Sequence, residues 1–401
     1  MKTNSQFQHI CQSATIAISD RVLALKACGK RIIPLQVGDP DFSTPAEIVE
    51  AAISALREGQ THYGPSRGFL DLRTAISNKI AGRAGYLEVG KSQYDPESEI
   101  LVSHGGVHAY YLALQSVIDP DDDVLIPDPS WATHTNMVKL LRGNAIPVPA
   151  PADNGFLPPM ENWEKALTPK TRVIVINYPA NPTGVYPNRI YIQQLLEFAH
   201  ANHLWVVSDE VYDHLFFENN PVSVTEFPEF REQVILVNSL SKTYAMTGWR
   251  VGYLAAPAKV IENALIASQN SITCVAPFIQ RAATFALTDA GVQEKTREMR
   301  EAYLRRRDLV MRIYTEVKNS AIDVIPPMGA FYFFLDLRAL RMSSTEMCEQ
   351  ILEESGVALV PGNEFGSQGK GFIRMTIAAA ESDVEEGFRA IMAWTDKRRK
   401  R

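Results

Sequence analysis

Cysteine is scarce in this chain and poorly placed for cross-linking or metal binding. Only four of the 401 residues are cysteines, Cys11, Cys28, Cys274 and Cys348, and no two form a CxxC pair. Neither a disulfide scaffold nor a metal cluster is expected, and the thiols read as reduced ones in a cytoplasmic protein. Long apolar runs are missing as well. Nothing approaches the roughly 20 residues of a membrane span. The N-terminus, with Gln6, Gln8, His9, Cys11 and Gln12 scattered through it, lacks the apolar centre of a secretory signal. Charge of one sign is not in excess: 40 Lys and Arg against 46 Asp and Glu leave a net charge of -6. That gives no electrostatic reason to expect nucleic acid or a membrane surface as a partner. The one like-charge run, Lys-Arg-Arg-Lys-Arg at 397–401, reads as a frayed, solvated tail. No internal repeat occurs, which excludes solenoids. No GxGxxG follows the first strand of the α/β pattern, which removes the fingerprint of a nicotinamide dehydrogenase.

What is present is apolar residue enough, 46%, for a large core in a chain of two-domain length. Short, continuously apolar strands are expected at 99–102, 123–126, 145–148, 172–177, 204–208, 234–237 and 251–255, with helical patterns between them at 107–118, 189–201 and 260–269. This alternation predicts an α/β fold whose large domain, 45–290, carries a mostly parallel sheet flanked by helices. The character then changes. A long charged helix at 292–317 leads to strands at 330–337, 357–360 and 371–377, with helices at 344–354 and 382–395. These form a smaller α+β domain. An amphipathic helix at 17–27 and a strand at 32–37 are expected to join it, making the small domain discontinuous, 1–44 and 291–401.

Residues able to do chemistry gather at the ends of these strands. The run Asn238-Ser-Leu-Ser-Lys-Thr-Tyr-Ala-Met-Thr-Gly-Trp-Arg250 follows the strand at 234–237. A lysine after a strand is ordinarily a solvated loop residue. With Ser239 three before it and Arg250 eight after it, Lys242 instead has what a Schiff-base cofactor needs, an amine to bond and two groups for a phosphate. Asp209 ends the strand at 204–208, where ligands collect in open α/β sheets, with Tyr212 three residues on. Alone, Asp209 serves equally well as a helix N-cap. Asn177-Tyr-Pro-Ala-Asn-Pro-Thr-Gly184 is dense in turn formers. In Ser103-His-Gly-Gly-Val-His108, Gly105 and Gly106 would let backbone N–H groups, including that of Val107, approach a phosphate at a helix start. Two glycines also make an ordinary turn. Trp131 by itself reads as a core residue. Arg374, inside the apolar strand Phe372-Ile-Arg-Met-Thr376, needs an anionic partner, from either the protein or a ligand.

Together with Gln36-Val-Gly-Asp-Pro-Asp-Phe42 and Tyr63-Gly-Pro-Ser-Arg-Gly68, these segments resemble, in order and from about Leu35 to Thr376, the fold-type I, class I aminotransferases. The resemblance implies pyridoxal 5′-phosphate as cofactor. Lys242 would be its covalent anchor and the general base and acid at the substrate Cα, and Asp209 would keep its ring nitrogen protonated. Tyr212 and Asn181 would bond its phenolic oxygen, with the Asn181–Pro182 bond cis, and Trp131 would stack on its ring. Ser239, Arg250 and the Gly105, Gly106 and Val107 backbone would hold its phosphate. The family loop often carries hydroxyl or lysine side chains where this chain has Gly105 and Val107, so the backbone would carry more of that task here. Arg374, Asn181 and the backbone at Gly38 would meet the substrate, Arg374 and Gly38 at its carboxylate. Tyr63 would reach the cofactor phosphate of a neighbouring copy, implying a homodimer with composite sites. The expected function is ping-pong transfer of an α-amino group from an amino acid to a 2-oxo acid. A lyase or cyclase on the same fold would keep every cofactor residue. A regulatory sensor is disfavoured because no DNA-binding extension precedes residue 14. Aspartate-handling relatives often have a lysine where this chain has Val107. A neutral, aromatic or long-chain donor is therefore expected, with pyruvate or 2-oxoglutarate as acceptor.

Overall fold

The computed structural model describes residues 14–83, 94–317 and 321–399, together with positions 7 and 10. Cys11 and the last two residues of the basic run lie outside them. Helix α1 (Ala14–Ala27), strand β1 (Ile33–Pro34) and helices α2 (Ala46–Arg57) and α3 (Leu70–Arg83) come first. An alternating series follows: β2 (Ile100–Ser103), α4 (Gly105–Val117), β3 (Asp123–Asp128), α5 (Ala132–Leu140), β4 (Asn144–Pro149), α6 (Met160–Ala166), β5 (Thr171–Asn177), α7 (Arg189–Ala201) and β6 (Trp205–Asp209). It continues through β7 (Val234–Ser239), β8 (Gly252–Ala255), α8 (Ala258–Gln269) and α9 (Pro277–Thr288). The last segment holds α10 (Ala290–Val317), β9 (Asp323–Val324), β10 (Tyr332–Asp336), α11 (Ser344–Ser355), β11 (Val357–Ala358), β12 (Val360–Pro361), β13 (Phe372–Thr376) and α12 (Glu381–Arg399).

The large sheet has seven strands in the order β2-β8-β7-β6-β5-β3-β4. Only β8 runs against its neighbours. Its central strands are buried on both faces, which explains why they read as unbroken apolar runs rather than alternating ones. Leu112 of α4 and Ile261 of α8 pack with Val175, Val207 and Val237 on one face, and Trp163, Leu195 and Leu196 pack with Ile174 and Val206 on the other. Each such fully buried aliphatic side chain contributes about 1.5–3 kcal/mol. The smaller sheet, β12-β13-β10-β9, is antiparallel and shares a core with α10, α11 and α12 through Val310, Ile351, Phe333, Ile373 and Phe388. No helix of the described residues is long and apolar enough to cross a membrane.

Four local expectations are corrected. The strand expected at 357–360 is two: β11 pairs in parallel with β1, Ile33 opposite Val357, while β12 pairs with β13. The strand expected at 32–37 shrinks to β1, because the chain turns away after Pro34 and sends Gln36 toward Arg374, whose Nη2 donates to the Gln36 carbonyl at 2.8 Å. Helix α1 buries Val22, with Ile18 and Leu25 against the same cluster, but leaves Ile16 and Leu23 exposed, so its apolar residues are not gathered on one face. Residues 397–399 of the basic run belong to α12: Arg398 donates to Gln350 and Glu354, and its guanidinium lies 3.9 Å from the Trp394 ring centre.

Candidate active site

The parallel strands β2, β5, β6 and β7 all end at one edge of the large sheet, and β8 begins there. Beside that edge lies a cleft of about 370 Å³. Gly38, Gly106, Val107, Trp131, Asn181, Asp209, Tyr212, Ser239, Lys242, Arg250 and Arg374 all line it. Gly105 sits just behind its wall. Tyr63 does not join them: it is 86% exposed and lies outside this chain's own cleft.

The loop between β7 and β8 carries three of these residues. Ser239 is the buried last residue of β7, and Arg250 adopts a left-handed backbone, φ 54°, that turns the chain into β8. Arg250 Nη1 donates to the Thr247 carbonyl at 2.8 Å, and its guanidinium lies over the start of α4. Gly105 opens that helix at φ +77°, and a Cβ there would stand 2.6 Å from Arg250 Nη2. Any side chain at 105 would meet both backbone strain and a steric block. The first-turn amides of α4 have no partners within the helix, so they, Ser239 and Arg250 form a setting suited to a phosphate.

Lys242 is half-buried in the same loop, and its amine donates to the Gly38 carbonyl at 2.6 Å. Burial pushes its pKa down to about 8; Arg374 and Arg250 act in the same direction, while Asp39 and Asp209 oppose them. A pH prediction follows for the ligand-free protein. The rate of labelling by an amine-selective acylating reagent should rise through pH 8 at Lys242 and then level off, whereas exposed lysines should keep rising toward their ordinary 10.5. Peptide mapping across pH gives both curves. A Lys242 curve that tracks the surface lysines would refute the depressed value.

Asp209, the buried last residue of β6, is held on two sides. Its Oδ1 accepts from the Val211 backbone N–H at 3.2 Å, and its Oδ2 lies 3.1 Å from His134 Nε2. A carboxylate has no proton to give, so the imidazole is the donor in that pair. His134, fully buried in α5, has its other ring nitrogen 3.0 Å from Ser130 Oγ. The loop after Asp209 is tied down by Asp213, which pairs with Lys79 Nζ at 3.0 Å and accepts from Asn238 Nδ2 at 3.0 Å. Burial opposes the Lys79 charge, yet the Asp213 carboxylate holds its pKa above the ordinary lysine value.

Across the cleft, Arg374 is 2% exposed at the centre of β13. Nη1 donates to Asn181 Oδ1 at 2.9 Å, Nη2 donates to the Gln36 carbonyl, and Nε is buried without a partner among the described residues. Burial lowers its pKa from the ordinary value. The Asn181–Pro182 bond is cis. A buried guanidinium held by two neutral oxygens, with an N–H to spare, is set up to receive an anion.

Sequence reasoning missed two residues here. His134 stands 75 positions before Asp209, and no local spacing reveals the pairing. Tyr332 was read only as strand interior, although it lines the cleft and its hydroxyl lies 2.9 Å from that of Tyr212.

The sequence and fold recur in known proteins. The sequence profile of aminotransferase class I and II matches residues 30–391. An aspartate aminotransferase of Pyrococcus abyssi is 37% identical over 89% of this chain and 90% of its own length. Aromatic-amino-acid aminotransferase 2 of Thermococcus litoralis is 36% identical over 88% and 89%. The structure of Thermus thermophilus aspartate aminotransferase with maleate superposes with a TM-score of 0.91 at 33% identity, covering 98% of this chain and 99% of that one. With the α/β fold and the match running nearly end to end, the chain belongs to the class I and II aminotransferases and is an enzyme of amino-group transfer.

Proposed function

We propose that this aminotransferase uses pyridoxal 5′-phosphate and moves the α-amino group of a neutral or aromatic amino acid to a 2-oxo acid in two half-reactions. The observation that carries this reading is the pairing, across one cleft, of a half-buried lysine whose pKa is pushed down to about 8 with a buried arginine that has a spare N–H and no carboxylate partner among the described residues. The residues present fit the cofactor. A partly deprotonated amine suits a covalent link, and the first-turn amides of α4, beside Ser239 and Arg250 on the cleft wall, suit a phosphate. When bound, the cofactor supplies an electron sink for the pair left behind as the substrate Cα–H bond breaks. Lys242 would anchor it covalently, and its amine, when free, would be the base that takes the substrate Cα proton and the acid that returns it. Asp209, oriented by His134, keeps a positive charge on the ring nitrogen. Asn181 and Tyr212 donate to the phenolic oxygen, and Trp131 covers the ring. Arg374 grips the substrate carboxylate with two parallel N–H bonds, with the Gly38 backbone beside it.

The preference for a neutral donor rests on charge accounting. Among the described residues the cations lining the cleft are Lys242, Arg250 and Arg374, each with a task already, while Ile16, Val107 and Trp131 supply apolar wall. A second substrate carboxylate would be buried without a partner, which costs several kcal/mol. A panel of the twenty amino acids, each with pyruvate and with 2-oxoglutarate, tests this. Aromatic and long aliphatic donors should lead, and aspartate as clearly the best donor would overturn it. We further infer a cytoplasmic homodimer, large unit 45–290 and small unit 1–44 with 291–401, in which Tyr63 serves the neighbouring copy's cofactor phosphate. Its exposure outside its own cleft supports that placement.

A further inference from the structure

Two buried tyrosine hydroxyls face each other in the cleft. Tyr212 Oη and Tyr332 Oη are 2.9 Å apart, on rings that meet nearly edge-on with centres 5.9 Å apart. Tyr332 opens β10 and is 1% exposed. Its ring also supports Arg374, whose guanidinium carbon lies 4.4 Å from the ring centre. The same hydroxyl explains a glycine: a Cβ at Gly38 would come within 2.3 Å of Tyr332 Oη, although the Gly38 backbone is not left-handed. One side chain therefore touches the residue read as facing the cofactor oxygen, the residue read as facing the substrate carboxylate, and the strand exit whose carbonyl faces Lys242.

A phenol has one proton to give. If Tyr212 spends its proton on the cofactor's phenolic oxygen, only Tyr332 can fill the contact between the two hydroxyls. Resting on that reading of Tyr212, we propose that Tyr332 is a positioning residue for the transfer reaction: its hydroxyl donates to Tyr212 Oη and so directs the Tyr212 proton outward, onto the cofactor. Accepting one hydrogen bond makes Tyr212 a stronger donor in the next. The charged groups facing the pair are Arg374 on both, Asp209 on Tyr212 and Asp39 on Tyr332. Burial raises both phenols above their ordinary pKa, so at neutral pH each keeps the proton the relay requires.

The test is a pH titration of the visible absorption of the holoenzyme loaded with pyridoxal phosphate, which reads the proton affinity of the lysine-linked cofactor without turnover. A hydrogen bond to the phenolic oxygen favours the deprotonated link, so Tyr212→Phe should move the midpoint to higher pH. Tyr332→Phe keeps the ring under Arg374 and should move it the same way by a smaller amount, about 0.3–1 unit. Added to Tyr212→Phe, it should produce no further shift. Dissociation of a 2-methyl amino acid, which has no Cα proton to lose, should change less than about twofold in Tyr332→Phe, because the Arg374 contact survives. An equal shift in both backgrounds, no shift in Tyr332→Phe where Tyr212→Phe shifts, or a tenfold loss of the 2-methyl amino acid would each overturn the proposal. Tyr212→Phe without any shift would overturn the reading of Tyr212 itself, and the proposal with it. Should Tyr332→Phe fail to retain cofactor, 3-fluorotyrosine at 332 keeps the shape and acidifies the donor. The midpoint should then move to lower pH, and a shift to higher pH would count against the relay.

Discussion

Lys242→Ala is expected to abolish turnover while the protein still folds. The variant loses two functions at once. A positioned general acid–base contributes about 10²–10⁴-fold by itself, and the covalent route that the amine opens disappears with it. The fold should survive because, among the described residues, the amine's one hydrogen bond is to the Gly38 carbonyl, at a cleft open to water. Following each half-reaction in a single turnover, by absorbance, separates loss of chemistry from loss of binding. Borohydride treatment of the unmodified enzyme followed by peptide mapping should place the cofactor on Lys242. Activity within tenfold of the parent, or a label on another lysine, would sink the assignment.

Asp209→Asn is expected to be nearly as severe and more informative, because it removes charge and keeps shape. Opposite charges about 3 Å apart are worth on the order of 5 kcal/mol gross at an effective dielectric of about 20. Losing that term in the transition state corresponds to about 10³–10⁴-fold in kcat/KM. The asparagine Oδ1 can still cap the Val211 N–H, and its Nδ2 can donate to His134 Nε2 once the imidazole proton moves to Nδ1, facing Ser130 Oγ, so folding and the loop geometry should hold. Asp209→Ala, by contrast, strands both donors and should lower the thermal midpoint as well. Steady-state kinetics at saturating cofactor, beside a melting curve, distinguish the two. A loss below about tenfold in the asparagine variant would mean that Asp209 only organises its loop.

What could be read from the chain beforehand follows the range of the interactions involved. Helix 189–201 was legible to the residue because its signals are local: Asn188 caps it, with its side chain accepting from the Tyr191 N–H at 2.9 Å, and Ile192, Leu195, Leu196 and Ala199 share its buried face. Ser239, Lys242 and Arg250 were legible because one loop between adjacent strands holds all three. His134 was not, since its contact with Asp209 depends on β3 and β6 flanking β5, and sheet order leaves no local trace. Tyr332 was hidden differently. Aromatic residues fill both faces of the run Phe331-Tyr-Phe-Phe334, so alternation could not say which one turns to the cleft. The short β1 and the division of β11 from β12 were hidden too, because β11 pairs with β1, far away in sequence, while β12 turns to β13.

The pairing of Ile33 with Val357 also sets a timetable. During synthesis the segment leading to Gly38 leaves the ribosome early, but its partner strand is among the last to be made. The large sheet can close once β8 has emerged, and with it the Gly105, Ser239, Lys242 and Arg250 side of the cleft. Arg374 and Tyr332 are not yet translated at that point. A nascent chain thus acquires the half of the cleft bearing Ser239, Lys242 and Arg250 well before the half bearing Tyr332 and Arg374, and contacts of such long sequence separation form slowly.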